Sequence, residues 1–295
     1  MSSTIAIICH GGAGTNSTNL AEKQKVVDKA AAEGMRILSQ GGSAVDAVVK
    51  AVSFMEDDPL LNAGTGSYVQ MDGYSRMDAS IMNDNLDVGA VIQISDVKNP
   101  IQVARRIMDL GVHSVLEGAL ASDFARAQGF PFYDPRTIEK LEIWLGLRKK
   151  FLKYSGYELM LALREEVNHE TMLSTVGTVA RDKDGHLAAG TSTGGLKMDL
   201  PGRVGDVPMI GCGTYANKSA AVSCTGIGEK IIKVVLAKTV ADAIEGGMNA
   251  KDACEEGIRQ IGGVQGKAGV ICIDRKSGLG YAFNTEAMTM TMLKD

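Results

Sequence analysis

Thr175 opens the run Thr175-Val176-Gly177-Thr178-Val179, and a second threonine- and glycine-rich run follows at Gly190-Thr191-Ser192-Thr193-Gly194-Gly195. Inside a chain, a threonine hydroxyl is a poor nucleophile, because nothing adjacent takes its proton. At a new N-terminus it brings its own base. A free α-amine, with a pKa of about 7.7–8.0, accepts the hydroxyl proton directly or through water, whereas an amide nitrogen cannot. Breaking the Ser174–Thr175 bond would therefore be an activation step, with Thr175 as the nucleophile. The plainer alternative is that Thr175 is only a β-branched residue at home in a strand.

Two further groups of residues carry complementary chemistry. In Ser223-Cys224-Thr225-Gly226-Ile227-Gly228-Glu229 a strand hands the chain to a helix expected from Glu229. The Thr225 hydroxyl and the Gly226 N–H, at a helix start rich in unpaired N–H groups, would make an oxyanion hole for a tetrahedral acyl intermediate. A turn that binds nothing is the alternative. In Pro201-Gly202-Arg203-Val204-Gly205-Asp206 the guanidinium of Arg203 can clamp a carboxylate and Asp206 can hold an ammonium. Together they would read the head group of a free amino acid, unless they form a simple surface ion pair. His10, in His10-Gly11-Gly12-Ala13-Gly14-Thr15, is read as structural. The glycines around it match neither a phosphate-binding P-loop nor a dinucleotide fingerprint. No HExxH, paired histidine or cysteine cluster points to catalytic zinc.

Composition narrows the setting. The chain has 295 residues, 45% hydrophobic and 22% charged, as expected of an ordinary globular protein with a large core. A net charge of −4 without a basic run argues against nucleic acid or an anionic membrane as partner. No apolar stretch reaches the ~20 residues of a bilayer span. Met1-Ser2-Ser3-Thr4 does not resemble a signal peptide, so a cytoplasmic location is expected. Cys9, Cys212, Cys224, Cys254 and Cys272 are scattered and form no CxxC, which predicts free, buried thiols. Glycine, 35 of 295, clusters at strand ends and implies many tight turns.

The elements that must hold these residues follow from periodicity and punctuation. Residues 5–9 read as a buried strand and 22–38 as a helix stopped by Gly41-Gly42. Ser43, with Asp46 three residues on, looks like the cap of a second helix running to about Met55. Strands are expected at 67–71 and 89–95. Asn99-Pro100 should open a helix, with Asn99 as its cap, that closes at Gly111. The charged stretch 130–170 reads as partly helical and peripheral. Residues 175–181 with 186–193, and 269–273 with 279–283, read as β-hairpins. Between them come a strand at 220–224, a turn at 225–228 and a helix from Glu229. Asn249 should cap a later helix running to Gln260. Hairpins and helices in this order predict an α+β fold of mostly antiparallel sheet covered by helices, and the length allows one or two domains.

The order of the motifs is more specific than any one of them. Over nearly its whole length the sequence resembles the plant-type L-asparaginase/isoaspartyl peptidase family of N-terminal nucleophile hydrolases. The resemblance is carried by His10 to Thr15, Gly41-Gly42-Ser43-Ala44-Val45-Asp46-Ala47, Pro59-Leu60-Leu61-Asn62-Ala63-Gly64, Asn99-Pro100, Thr175-Val176-Gly177, residues 189–195, residues 201–206, residues 223–229 and Phe283-Asn284-Thr285-Glu286. It implies a single domain, 1–295, folded as an αββα four-layer sandwich, and autocleavage into an α subunit, 1–174, and a β subunit, 175–295. It also implies pairing of the cleaved protomers into a homodimer. By motif match it implies Thr175 as nucleophile with Thr193 in support, and Arg203, Asp206 and Gly228 on the substrate head group. Thr225 and Gly226 would form the oxyanion hole, and Asn62 and His10 would be structural. The implied substrates are small molecules, L-asparagine or β-aspartyl dipeptides, hydrolysed at the side-chain amide without an organic cofactor. A sodium ion would be held by backbone carbonyls of Met55, Glu56, Asp58, Leu61, Ala63 and Thr65. One departure stands out. The residue before the nucleophile is usually Gly in this family, or Asp in related enzymes, and here it is Ser174, which lacks glycine's backbone freedom. Two rival readings follow: an uncleaved latent precursor or non-enzymatic binding protein, and a taspase-like threonine endopeptidase. The compact 201–206 loop favours a small head group over the latter.

Overall fold

The computed structural model describes residues 4–14, 19–155, 158–159, 161–163, 165 and 175–295. Thr15 and Ser174 lie outside them. Among the described residues, eleven strands form two sheets. The larger is made of β1 (Ala6–Gly14), β2 (Met77–Asn83), β3 (Val88–Ile94), β4 (Val115–Glu117), β5 (Val176–Arg181), β6 (Leu187–Thr193) and β11 (Ala287–Lys294), in the order β11-β1-β5-β6-β2-β3-β4. The smaller has the order β10-β9-β8-β7, from β7 (Thr214–Ala216), β8 (Ala220–Gly226), β9 (Ala268–Asp274) and β10 (Leu279–Phe283). Among these strands only β3 and β4 pair in parallel.

Strand periodicity explains the stacking. Successive side chains point to opposite faces, and in β1 both faces are buried. Ile7 and Cys9 pack with Ile81, Val91 and Val176 against the helices α1 (Leu20–Ser39), α2 (Ala44–Glu56) and α3 (Pro100–Leu110). Ala6 and Ile8 point the other way and meet Ala221, Ile271 and Ile273 of the second sheet. That sheet's far face, with Val222, Cys224, Val270 and Cys272, is covered by α6 (Gly228–Val234), α7 (Leu236–Glu245) and α8 (Ala250–Gly263). Gly89 lets α3 lie on β3, since a Cβ there would sit 1.9 Å from the Ala104 carbonyl oxygen. The helices α4 (Gly118–Ala127) and α5 (Ile138–Phe151) complete the set described. All five cysteines are free and buried.

Most predicted elements stand where the sequence put them. Ser43 Oγ accepts from the Asp46 N–H at 3.1 Å at the start of α2, and Asn249 caps α8 in the same way. Gly111 ends α3 in the left-handed region. Three expectations are corrected. Residues 67–71 form no strand, because their backbone is tied to loops instead: Tyr68 N–H donates to Asn62 Oδ1, Gln70 N–H to the Tyr74 carbonyl and Met71 N–H to the Asp199 carbonyl. Asn99 precedes α3 without capping it, since its amide donates to Asp57 Oδ1 and Glu56 Oε1 takes the Ile101 N–H. Thr225 and Gly226 belong to β8, not to a turn, because the ladder with Gly269 and Ala268 continues through them. The strands β2, β4, β7 and β11 and the helix α4 had no counterpart in the sequence reading.

Candidate active site

Thr175 immediately precedes β5, in the middle of the large sheet, and is buried. Val176 pairs with Ser192, so the register sets Thr175 beside Thr193 at the end of β6. The Thr175 hydroxyl donates to Thr193 Oγ1 at 3.2 Å, and the Gly195 N–H donates to the same oxygen at 3.2 Å. Asn62 holds the turn that follows. Its side-chain amide donates to the Gly195 carbonyl at 2.7 Å, and its own carbonyl accepts the Gly194 N–H at 2.8 Å. Contact is close enough that a Cβ on Gly194 would fall 2.4 Å from Ser67 Cβ and 2.6 Å from Asn62 Oδ1.

The second sheet supplies the opposite wall. Ser223 and Thr225 are two apart on β8 and therefore share the face turned toward the large sheet. Thr225 is fully buried, and its Oγ1 accepts from the Ala13 N–H at 3.4 Å at the glycine-rich end of β1. Gly226 adopts φ +151°, and a Cβ there would lie 2.6 Å from the Lys267 carbonyl oxygen, so only glycine fits.

Arg203, Asp206 and Gly228 converge. A Cβ on Gly228 would stand 2.8 Å from Asp206 Oδ1 and 3.1 Å from Arg203 Nη2. The guanidinium donates from Nε and Nη2 to Glu229 Oε1 at 2.9 Å, and reaches Asp199 Oδ2 at 3.4 Å. Asp206 is buried, and its Oδ2 has no hydrogen-bond partner among the described residues. Burial pushes its carboxyl up to about 7; Arg203 opposes the rise, while Glu229 and Asp78 add to it. Asp78, opposite Thr193 on β2, is likewise raised to about 7 by burial, against the Gln93 N–H it accepts at 2.7 Å. One cation thus faces several carboxylates, a setting suited to an ammonium group with a carboxylate beside it.

His10 is fully buried, and burial lowers its imidazole to about 3, so it is neutral at working pH. Its Nε2 meets Ser223 Oγ at 3.0 Å. Ser223 meets Thr191 at 2.7 Å, Thr214 donates to Thr191 at 2.6 Å, and Ser80 donates to Thr214 at 2.7 Å. This run of hydroxyls ties the two sheets together directly behind Thr175 and Thr193. Sequence reading missed Ser223, Thr191, Asp78, Asp199 and Glu229. The two-residue spacing from Thr225 and Thr193 was the available signal for Ser223 and Thr191. Among the described residues no group of three or more His, Cys, Asp or Glu could hold a metal, and no helix is long and apolar enough to cross a membrane.

Relatives align with the chain over nearly its full length. The plant-type L-asparaginase of Pyrococcus furiosus is 45% identical over 298 residues, covering 99% of this chain and 97% of that protein. That of Thermococcus kodakarensis is 46% identical, with 98% and 96% covered. The isoaspartyl peptidase of Escherichia coli is 38% identical, with 96% and 90% covered. The Asparaginase_2 family, described as Asparaginase, matches residues 3–295. With this match over nearly the whole chain, the chain belongs to the asparaginase family.

Proposed function

We propose that the protein is a threonine-nucleophile amidohydrolase that cleaves the side-chain amide of L-asparagine and of β-aspartyl dipeptides. The observation that carries this reading is the Thr175 hydroxyl, buried against Thr193 at 3.2 Å, on the sheet that faces Thr225 and the Arg203–Asp206–Gly228 group. Maturation is attack of the Thr175 hydroxyl on the carbonyl of residue 174, followed by hydrolysis of the resulting ester. It leaves chains 1–174 and 175–295, which together form one αββα protomer, and we take two such protomers to pair as a homodimer. The new α-amine is then the base. Arg203 receives the substrate α-carboxylate and Asp206 its ammonium. Thr175 Oγ adds to the side-chain carbonyl, while Thr225 and Gly226 stabilise the oxyanion. Ammonia or an amino acid leaves, and water hydrolyses the β-aspartyl ester. The head-group contacts explain the preference for a side-chain amide, because an α-peptide bond uses up one of the two gripped groups.

The loop from Met55 to Thr65 fits a sodium ion. Gly64, at φ +56°, would bring a Cβ within 2.4 Å of the Glu56 carbonyl oxygen and 2.8 Å of the Lys98 one, so backbone oxygens converge there. The carbonyls of Met55, Glu56 and Asp58 each accept one backbone N–H and keep a lone pair. When bound, the ion would stiffen the segment that carries Asn62; it has no part in the chemistry.

Intact mass and N-terminal sequencing after prolonged incubation, with an ammonia-release assay on L-asparagine, test the proposal. Two chains, the second beginning at Thr175, with ammonia released, are expected. A single intact chain without activity would favour the latent-precursor reading that Ser174 motivates. A Ser174→Gly variant that cleaves where the parent does not would identify Ser174 as the block.

A further inference from the structure

Gln93 is buried behind the loop that carries Arg203, and the mechanism above does not use it. The ladder between β2 and β3 slips at this point. Met77 pairs with Ile94 but Ala79 pairs with Val91, so Asp78 faces two residues, Ile92 and Gln93. A bulge of this kind bends the strand and re-aims a side chain. Gln93 takes φ +51°, a left-handed conformation that residues with a Cβ rarely adopt, and its N–H donates to Asp78 Oδ1 at 2.7 Å. Such a backbone persists only where its surroundings hold it, and it marks a residue whose aim matters.

The aim is at the head-group loop. Gln93 Nε2 donates to the Arg203 carbonyl at 3.0 Å, and Gln93 Oε1 accepts from Gln70 Nε2 at 2.9 Å. Gln70 Oε1 in turn accepts from Arg76 Nη1, and Arg76 is paired with Asp72 at 2.9 Å. A guanidinium only donates and a backbone carbonyl only accepts, so both ends of this chain demand the same orientation of the two amides between them. Arg203 and Asp206 are thereby anchored separately. The Asp206 carbonyl accepts the N–H groups of Met209 and Gly213 at 3.1 and 3.0 Å, which ties it to the segment leading into β7. The Arg203 carbonyl is held from β3, in the other sheet. Packing does little for the turn before Arg203: Gly202 takes φ +91°, and among the described residues no atom lies within 4 Å of where its Cβ would be.

We propose that Gln93 is a positioning residue for substrate recognition: from the bulge of β3 its amide holds the Arg203 carbonyl, and with Gln70 and Arg76 it fixes the direction in which the Arg203 guanidinium meets the substrate α-carboxylate. This rests on the hydrolase reading above. Gln93 acts on binding through Arg203 and touches neither the nucleophile nor the bond before Thr175, so it serves recognition and not maturation.

The test compares side-chain hydrolysis of L-asparagine and of L-asparaginamide, which lacks the carboxylate that Arg203 would grip, with products separated by chromatography. Gln93→Gly permits the left-handed backbone and removes the amide. Loss of one neutral hydrogen bond predicts a KM for L-asparagine raised about threefold to tenfold, with kcat within about twofold. The preference for L-asparagine over the amide, as kcat/KM, should fall by a similar factor. A general disturbance of the fold would lower both substrates alike. Arg76→Leu should reproduce the change at smaller size, and Arg76→Lys, which keeps a donor, should retain the parent preference. If Gln93→Gly fails to fold, the two Arg76 variants carry the comparison. Unchanged KM and preference in Gln93→Gly, or equal losses on both substrates, would overturn the positioning role. With L-asparagine hydrolysed by the parent, either result leaves the hydrolase reading standing. Failure of the parent to hydrolyse either substrate would remove that reading and the role of Gln93 with it.

Discussion

Replacing Gly228 by alanine separates substrate recognition from maturation. The added Cβ would lie 2.8 Å from Asp206 Oδ1, 3.1 Å from Arg203 Nη2 and 3.1 Å from the Asp206 backbone nitrogen. Ordinary contact begins several tenths of an ångström further out, and a buried carboxylate anchored on a tight loop cannot retreat freely. Gly228 opens α6 with no positive φ, so alanine costs nothing in backbone conformation there and gains helix propensity of up to ~1 kcal/mol. The expected damage is therefore to head-group binding. Displacing one charge-assisted contact forfeits ~1.5–3 kcal/mol, or about ten- to hundredfold in kcat/KM. Steady-state kinetics on L-asparagine should carry most of this loss, whereas the yield of the chain beginning at Thr175 should not change, since the bond it starts from is not gripped by Arg203 or Asp206. Unaltered kcat/KM would refute the assignment of Arg203 and Asp206 to the head group. Lost cleavage with normal folding would show that this loop serves maturation instead.

Other outcomes follow from the same geometry. Asp206 must be ionised to hold an ammonium, and its carboxyl is raised to about 7, so kcat/KM should climb as pH rises through that value. Asp206→Asn should abolish that step in the pH profile and lower kcat/KM by about tenfold or more. The same raised carboxyl acts on stability in the opposite direction. Its protonated form is favoured by folding, so its contribution is present below the ordinary carboxylate range and is lost as pH rises through about 7. Asp206→Asn should therefore gain stability relative to the parent at pH 8 compared with pH 5, as read by urea unfolding at both values. Gly194→Ala, whose Cβ would meet Ser67 Cβ at 2.4 Å, should displace the turn at Thr193 and slow both cleavage and turnover, which sequencing and ammonia release would detect. Gly89→Ala would drive a Cβ to 1.9 Å from the Ala104 carbonyl oxygen and should cost ~1–3 kcal/mol or more in unfolding free energy by forcing α3 off β3. Unchanged denaturation midpoints would contradict the close strand–helix contact.

Local pattern carried much of the design. Alternation and a turn at Asp182-Lys183-Asp184-Gly185 predict the hairpin β5–β6, and the hairpin alone brings Thr175 next to Thr193. Ser43 and Asn249 announce their helices by chemistry that acts within three residues. The Asn99-Pro100 signal found the right helix for an incomplete reason, because a distant carboxylate, Glu56, took the N–H that a local cap would have served.

Local sequence supplies the groups: a threonine at the mouth of a hairpin strand, an arginine and an aspartate three residues apart in one loop, and glycines where a Cβ would collide. These depend on residue type and on contacts a few positions apart. Tertiary structure alone decided who faces whom across the sheets. It set Asp78 opposite Thr193, joined His10 to Ser223 and Thr191, and brought Lys140 and Lys197 to the Tyr68 ring. Two-residue periodicity tells which face a side chain takes, but not which strand lies beside it. That choice is made by the packing of two sheets and their helices, whose energy is shared among residues far apart in the chain.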